Sequence, residues 1–236
     1  MTKASNDRFY EAGWGGQIPP LLDIYKDNFG YKEGGYFVEV GAFDCHHWSN
    51  TWGLARAGWR GIYYEPQPDL VSKCREYFGH YENITIQEMA LSDNPGVATL
   101  YLGGSLSTIS EETKDAYLQI PWAQSTGLGS GDSIEVAVST LDIELPKHDW
   151  PKRFDVLVVD VEGSEIDVLN GFSIMEWLPT LCIVETHEDK ADATLSMKAP
   201  EINEFFELAG YDKIYSDTIN SIYKMGISPH VKEHES

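Results

Sequence analysis

Short hydrophobic runs recur along the chain, and each is followed by small or polar residues and then by a stretch with helical spacing. The run Val156 to Val159 is apolar at every position, which is typical of a strand buried on both faces of a parallel sheet. The pattern predicts strands near 36–40, 61–65, 84–88, 155–160 and 180–185, and helices near 51–57, 68–78, 164–170 and 200–209. Alternating strands and helices predict an α/β fold with a mostly parallel sheet.

Three units are expected along the chain. Residues 1–33 form an N-terminal helical extension that packs on the sheet or caps the active site, and Gly34-Gly35 ends it. Residues 34–226 form the main domain, which closes with an antiparallel edge pair over 211–215 and 219–225. Residues 227–236 are expected to be a frayed tail.

Residues 103–133 interrupt the alternation between two strand-like segments, 98–102 and 134–138. This stretch is rich in glycine and serine and carries Tyr117 and Trp122 in its middle. A connection of this length is usually a functional lid or a disordered segment. The aromatic residues favour a lid over the acceptor, since the faces of sugars stack on such rings; the alternative is a surface excursion anchored by Trp122.

Acidic residues cluster where the strand 155–160 ends. Asp160, Glu162 and Glu165 flank a tight turn at Gly163 that leads into a helix. The dipole of that helix accounts well for Glu165 and partly for Glu162, but poorly for Asp160, which is still attached to the strand. Because ligands of open α/β sheets bind beyond the carboxyl ends of the strands, this turn is predicted to be functional.

A glycine turn follows the first strand. Gly41 and Ala42 allow the backbone to approach a ligand closely, and the residues 49–51 can cap the next helix. The second strand ends at Glu65, roughly twenty residues later, where nucleotide-binding α/β folds place a ribose-binding acid. An NAD-binding oxidoreductase is disfavoured, because the turn lacks the second and third glycines of the dinucleotide fingerprint.

The chain resembles the FkbM family of S-adenosylmethionine-dependent methyltransferases, which belong to the class I Rossmann-like methyltransferases. The matching segments, in the family's order from about residue 35 to about residue 188, are 35–44, 49–51, 58–66, 90–93, 139–142, 160–165 and 168–171. The resemblance implies a three-layer sandwich around a mostly parallel seven-stranded sheet with an antiparallel edge strand. One position departs from the family, because Cys45 stands where glycine is usual, and its Cβ is expected to alter the loop near the methionine end of the cofactor.

The resemblance also implies where S-adenosylmethionine binds. Glu65 would accept hydrogen bonds from both ribose hydroxyls, and Met89 and Ala90 would flank the adenine. Ser49 and Asn50 would reach the amino-acid end of the cofactor. The full set of expected cofactor-binding residues is Glu39, Gly41, Ala42, Asp44, Ser49, Asn50, Glu65, Pro66, Met89, Ala90 and Asp160.

The last parallel strand adds Glu185 and His187. Adjacent parallel strands would bring them close to Asp160 and Glu162, and like charges this close repel unless a cation or proton lies among them. One hypothesis places a divalent cation such as Mg²⁺ on Asp160 and Glu185, where it would polarise a hydroxyl. The alternative is a metal-free site with His187 or Glu162 as general base, and His187 could also be a capping or surface residue. The candidate catalytic residues are therefore Asp160, Glu162 and His187.

Composition narrows the partners and the compartment. The chain has 38 acidic residues against 17 lysines and arginines, a formal charge of −21. Such a surface repels nucleic acid and anionic membranes, so a small-molecule acceptor, a sugar or polyol, is expected. Three cysteines at spacings unlike those of metal sites suggest reduced thiols in the cytoplasm. No stretch approaches the roughly 20 apolar residues that span a bilayer, and the N-terminus lacks the apolar segment of a signal peptide.

These observations lead to one principal hypothesis. The chain is expected to be an S-adenosylmethionine-dependent O-methyltransferase that acts on a hydroxyl of a sugar or related small natural product. The alternatives are a methyltransferase for an amine or carboxylate, and a non-catalytic S-adenosylmethionine-binding module.

Overall fold

The computed structural model describes residues 18, 20–30, 32–187 and 198–226. Its strands are β1 (Tyr36–Val40), β2 (Arg60–Tyr64), β3 (Ile84–Gln87), β4 (Ala90–Leu91), β5 (Gly96–Tyr101), β6 (Ser133–Ser139), β7 (Val156–Val159), β8 (Leu181–Glu185), β9 (Tyr211–Ser216) and β10 (Asn220–Met225). Its α-helices are α1 (Leu21–Phe29), α2 (Trp52–Arg56), α3 (Pro68–Phe78), α4 (Glu111–Tyr117), α5 (Leu141–Glu144), α6 (Glu165–Asn170), α7 (Ile174–Trp177) and α8 (Ala199–Leu208). Single 3₁₀ turns lie at Gly104–Leu106, Ala123–Ser125, Leu128–Ser130 and Leu145–His148.

The main sheet has seven strands in the order β3-β2-β1-β7-β8-β10-β9. The first five are parallel to one another, and β10 runs antiparallel to both β8 and β9. The predicted α/β class, with a mostly parallel sheet and an antiparallel edge, is confirmed. From β1 the chain progresses outward to β2 and β3 and then returns to β7 on the other side of β1. The order of the strands therefore reverses between β1 and β7, and ligands of such sheets bind in the crevice at that point.

Two hydrophobic cores cover the two faces of the sheet. One contains Val38, Val40, Leu157 and Val159 with residues of α5 to α8. The other contains Phe37, Tyr63, Val156 and Val158 with residues of α1, α2 and α3. Residues that alternate along β1 and β7 thus enter opposite cores, as the pleat of a strand requires. The result is the predicted three-layer sandwich.

A second sheet was not predicted from the sequence as such. It has three strands in the order β4-β6-β5, with β5 and β6 antiparallel over Gly96–Tyr101 and Ser133–Ser139. The hairpin-like pair was expected, but the two-residue strand β4, which pairs in parallel with the end of β6, was not. Residues 103–133 continue from this sheet and pack around a small core of their own, formed by Leu106, Tyr117, Ala123 and Leu128. Trp122 does not anchor the segment, since its side chain is 57% exposed.

The helix α1 lies within the predicted N-terminal extension and packs on the sheet. Leu21 and Tyr25 are buried in the core beneath β1 and β2, and the Tyr25 hydroxyl donates a hydrogen bond of 3.0 Å to the carbonyl of Asn50. Residues 1–17 and the predicted tail at 227–236 lie outside the described residues. Within the described ranges, no helix has the length and apolar character needed to cross a bilayer.

The expectation of reduced thiols is wrong for two of the three cysteines. Cys45 and Cys74 form a disulfide, with their Cα atoms 5.2 Å apart, that ties the loop after β1 to α3. Their separation of 29 residues gave no signal of a pair, because the contact is made only when α3 packs beside that loop. Cys182 is free and buried in the core, as expected for a residue within an apolar strand. The cysteine count therefore no longer supports a cytoplasmic location.

Candidate active site

A cavity lies beyond the carboxyl ends of β1, β2 and β7, at the point where the strand order reverses. Most residues predicted to bind the cofactor line it: Glu39, Gly41, Ala42, Ser49, Glu65, Pro66, Met89, Ala90 and Asp160. Asp44 and Asn50 do not line it. We refer to this space as the first cavity.

Gly41 brings the ends of β1 and β7 together. Its φ is +82°, and a Cβ at this position would lie 1.6 Å from the carbonyl oxygen of Asp160. The amides of Gly41 and Ala42 both donate to the carbonyl of Tyr64, at 3.0 and 3.1 Å. Position 41 requires glycine because of its positive φ and because of the contact with the Asp160 carbonyl. The sequence predicted a close approach of this backbone to a ligand, whereas the structure shows a close approach to the backbone of Asp160.

Glu39 holds the turn that starts α2. Its carboxylate accepts hydrogen bonds from Ser49 Oγ at 2.8 Å, from the Asn50 amide at 3.0 Å and from Thr51 Oγ1 at 2.5 Å. Burial raises the pKa of Glu39, and these hydrogen bonds oppose the rise. Two of the three side chains predicted to cap α2, those of Ser49 and Thr51, thus donate to Glu39. Ser49 Oγ also accepts from the Trp52 amide at 3.1 Å.

Glu65 is buried with one free acceptor position on each carboxylate oxygen. Oε2 accepts from the Phe43 amide and Oε1 from the Gln67 amide, both at 2.9 Å. Each carboxylate oxygen has two lone pairs, so each can accept one more hydrogen bond from the cavity. Burial raises the pKa of Glu65 to about 7, against the opposing effect of hydrogen bonds from the amides of Gln67 and Phe43 and from the Gln67 side chain. The geometry suits two neighbouring hydroxyl groups.

The loop after Ala42 has several left-handed residues. Phe43, Cys45 and Trp48 have φ values of +51°, +59° and +68°. Position 45, where the family usually has glycine, is therefore a left-handed position that glycine adopts without strain. Here Cys45 adopts that conformation and is bonded to Cys74.

Asp44 fastens the same loop through contacts with the two following histidines. Its carboxylate accepts from the amides of His46 and His47, at 3.0 and 2.7 Å, and lies 2.6 Å from His47 Nδ1. Burial raises the pKa of Asp44, but the bonds from His47 and His46 outweigh it and leave the pKa lowered.

Three carboxylates meet where β7 and β8 end. One oxygen each of Asp160, Glu162 and Glu185 lies within 4.8 Å of the others, because β7 and β8 are adjacent and parallel with Val159 opposite Val184. Burial raises the pKa of all three, and the negative charges of neighbouring carboxylates raise them further. The convergence expected from the sequence is present.

The surroundings of this carboxylate cluster differ from one member to the next. Glu162, at a φ of +55°, accepts a hydrogen bond from the Tyr117 hydroxyl on α4. His187 Nε2 lies 2.8 Å from Glu185 Oε1, within ion-pair distance but outside hydrogen-bond geometry. Glu165 is a structural residue, since one of its oxygens accepts from the amides of Val161 and Gly163 at 3.1 and 2.9 Å.

Several lining residues were missed by the reasoning from sequence. Leu91 and Leu100 of the second sheet, and Ser105, Ser107 and Ile109 after it, all line the first cavity. Tyr117 was noted only as an aromatic residue of the predicted lid. Small residues and one aromatic in a long connection give no sign of which of them faces a site, so only the packing of 103–117 over the strand ends identifies them.

Two other motif segments have structural roles. Asp142 accepts hydrogen bonds from the amide and hydroxyl of Ser173, at 3.0 and 2.6 Å, and from Trp177 Nε1 at 2.9 Å. A Cβ on Gly171 would lie 2.2 Å from the carbonyl oxygen of Ser92. These residues pack α5, α6 and α7 together and do not line the first cavity.

The sequence model of the methyltransferase FkbM domain matches residues 29–213. The chain belongs to the FkbM methyltransferase family. The matched region is a methyltransferase domain, and it contains both the first cavity and the carboxylate cluster. No curated protein matches the sequence of this FkbM-family methyltransferase.

Among solved structures, a methyltransferase FkbM from Methylobacillus flagellatus KT is 12% identical with a TM-score of 0.48, covering 94% of this chain and 59% of that one. A methyltransferase of Podospora anserina, solved with S-adenosylhomocysteine bound, is 7% identical with a TM-score of 0.44 and coverages of 95% and 88%. A precorrin-6y C5,15-methyltransferase from Geobacter metallireducens GS-15 is 10% identical with a TM-score of 0.43 and 86% coverage of each chain. This FkbM-family chain thus spans less than two thirds of the Methylobacillus protein. With TM-scores below 0.5, none of the three bears on the acceptor.

Proposed function

We propose that this enzyme transfers the methyl group of S-adenosylmethionine to a hydroxyl of a sugar or related small natural product. The observation that carries the proposal is the convergence of Asp160, Glu162 and Glu185, beside the first cavity, at the ends of two adjacent strands. An alcohol must lose a proton as it is methylated, so a base or a cation at this place serves the reaction.

In this proposal the first cavity holds the cofactor. The two free acceptor positions of Glu65 take the ribose hydroxyls, Met89 and Ala90 flank the adenine, and Pro66 lies beside Glu65 in the same wall. Gly41 and Ala42 form the cavity wall beside Asp160, next to the sulfonium end. Asp44, Ser49 and Asn50 act at the methionine end, Ser49 from the cavity wall and the other two by shaping the loop behind it.

Methyl transfer is an in-line displacement with an excellent leaving group, so the enzyme contributes mainly by alignment, which is worth several kcal/mol. We assign Glu162 or His187 as the base that takes the proton of the acceptor hydroxyl. Asp160 lies beside both the cofactor cavity and the carboxylate cluster, which suits it to orient the reacting groups.

A divalent cation on Asp160 and Glu185 completes the proposal. The donor set fits a hard ion, because it consists of carboxylate oxygens that lie within 4.8 Å of one another. A bound ion would neutralise the repulsion within the cluster and lower the pKa of the acceptor hydroxyl.

The lid, the partners and the location complete the proposed function. We propose that residues 103–133 close over the acceptor, since Tyr117 within this segment already donates a hydrogen bond to Glu162 of the carboxylate cluster. The formal charge of −21 supports a small acceptor over nucleic acid or a membrane surface. A cytoplasmic location stays a prediction, because the Cys45–Cys74 disulfide removes the support that the cysteine count gave it.

The test measures S-adenosylhomocysteine release with a panel of sugars and polyols, and product mass spectra locate the methyl group. Glu162→Gln and His187→Asn are compared with Glu82→Gln and His80→Asn, which change exposed residues outside both cavities. We expect at least one of the first pair to lose about 100-fold or more in turnover, and neither control to change. Transfer only to amines or carboxylates would contradict the proposed acceptor class.

The metal is tested separately. Activity is expected to fall in excess EDTA and to return on addition of Mg²⁺ or another divalent ion. Full activity in excess EDTA would show that the reaction needs no divalent ion, which leaves the metal-free mechanism with Glu162 or His187 as base.

A further inference from the structure

A second cavity, of about 670 Å³, adjoins the carboxylate cluster. Its walls come from four elements: α4 of the lid, the turn into α6, the end of β8 and the start of α8. Glu185 and His187 lie in its wall, whereas Asp160 and Glu162 line the first cavity. The hydrogen bond between the Tyr117 hydroxyl and Glu162 joins a residue of the second cavity to one of the first.

The second cavity is strongly acidic. Among the described residues, six carboxylates line it, from Glu112, Asp115, Glu165, Asp167, Glu185 and Glu201, against one lysine, Lys198. Lys198 donates to the carbonyl of Gly163. Asp115 pairs with Lys114 at 3.2 Å, but Glu112, Asp167 and Glu201 have no ion pair within the described part of the chain. Even a divalent ion on Glu185 would leave the lining negative.

The inner end of the second cavity has an unused acceptor. Glu185 is only 6% exposed, and its Oε2 has no hydrogen-bond partner among the described residues. A buried polar atom left unpaired is costly, so its presence in a cavity wall points to a ligand that supplies a donor or a positive charge.

We infer that the second cavity binds the acceptor, and that the acceptor carries a positively charged amino group in addition to the hydroxyl that is methylated. The amino group lies among Glu185, Asp167 and Glu201, and the hydroxyl points past Tyr117 toward Glu162 and the first cavity. This inference rests on the proposed O-methyltransferase function and narrows its substrate class to amino sugars and amino polyols.

The experiment compares related probes with and without a charged amino group. Glucose, glucosamine and N-acetylglucosamine are titrated calorimetrically into enzyme saturated with S-adenosylhomocysteine, and inositol is compared with its monoamino derivative. An exposed charge pair contributes up to about 1 kcal/mol, roughly fivefold in affinity. We expect each aminated probe to bind about fivefold more tightly than its neutral partners, and the preference to shrink at high salt.

Matched double variants locate the charge. Glu112→Gln/Glu201→Gln removes two carboxylates from the lining, whereas Glu111→Gln/Glu204→Gln removes two exposed carboxylates from the same helices, α4 and α8, outside the lining. The first double variant should lose about threefold or more of the amine preference, and the second should keep it. Glu185→Gln should abolish the preference.

Equal binding of aminated and neutral probes, including no binding by any of them, would overturn the inference. So would equal losses in the two double variants. Failure of the proposed function is seen separately, because it would appear as the absence of S-adenosylhomocysteine affinity or as methylation of nitrogen in the product mass spectrum.

Discussion

Replacing Glu65 by glutamine tests the assignment of the first cavity most directly. The side chain keeps its size, but one carboxylate oxygen becomes an NH₂ group that cannot accept. Since each oxygen of Glu65 already accepts one backbone amide, from Phe43 or Gln67, the NH₂ group must face one of these donors. The variant also loses the negative charge that faces the ribose.

The magnitude follows from these contacts. A hydrogen bond to a charged group contributes about 1.5–3 kcal/mol, and one of the two bonds to the ribose is lost while the other becomes neutral. We expect S-adenosylmethionine and S-adenosylhomocysteine to bind more weakly by about 2–3 kcal/mol, or roughly 30- to 150-fold in Kd.

The assay is isothermal titration calorimetry with S-adenosylhomocysteine at pH 8, above the pKa of about 7 that burial gives Glu65. Glu144→Gln is the matched control, because Glu144 is also buried and hydrogen-bonded, to Ser139 and Lys147, but lies outside the first cavity. A cofactor analogue without the ribose 2′-hydroxyl gives a second comparison. It should bind the wild type more weakly but lose less on going to the variant.

Unchanged affinity in Glu65→Gln, with a normal melting temperature, would refute the assignment of the ribose to Glu65. An equal loss with the analogue that lacks the hydroxyl would show that the variant acts through the loop that carries Phe43 and not through the ribose.

Further consequences concern stability and the lid. The pKa of Glu65 is about 7 in the folded protein against an ordinary value of 4.5, so between these pH values the folded state binds more protons than the unfolded state. The free energy of unfolding should therefore fall as pH rises from about 4.5 to 7. Denaturant titrations of the cofactor-free protein should show a smaller fall in Glu65→Gln than in the wild type. Gly41→Ala should destabilise the folded protein by about 3 kcal/mol or more, since the added Cβ would clash with the Asp160 carbonyl. Gly96→Ala is the control, because a Cβ there has no neighbour within 4 Å. Equal melting temperatures of the two variants would contradict the prediction. Reduction of the Cys45–Cys74 bond should lower the free energy of unfolding by about 3–4 kcal/mol, from the loop-entropy relation. The melting temperature should therefore drop when reductant is added to the wild type and stay unchanged when it is added to Cys45→Ser. Amide exchange in residues 103–133 should slow when cofactor and acceptor are both bound; equally slow exchange with and without them would count against a lid.

The architecture of the main sheet could be read from the sequence. Runs such as Val156 to Val159 are apolar at every position, and only a strand covered on both faces requires that. The spacing from Gly41 to Glu65 predicted that both would reach one edge, because parallel strands of similar length end together. The same reasoning placed Asp160 and Glu185 side by side, as β7 and β8 show.

The role of each polar side chain depended on the tertiary structure. Glu39 and Glu65 occupy similar positions near the ends of β1 and β2. The Glu39 carboxylate accepts hydrogen bonds from residues 49–51, whereas each oxygen of Glu65 accepts one backbone amide and can accept one more hydrogen bond. The amides and hydroxyls that pack against a carboxylate decide which of its lone pairs stay free. Residue type and spacing along the chain do not predict those contacts.

Contacts between distant segments were also decided only by the fold. The hydrogen bond between Tyr117 and Glu162 joins residues 45 apart in the sequence, and the disulfide joins residues 29 apart. No local sequence pattern predicts either contact. The sequence by itself determined the strands, their polar ends and hence the edge where the chemistry lies, because hydrophobic periodicity is a local property. The tertiary structure decided the second cavity and its charge, because these arise only when α4, α6, β8 and α8 meet.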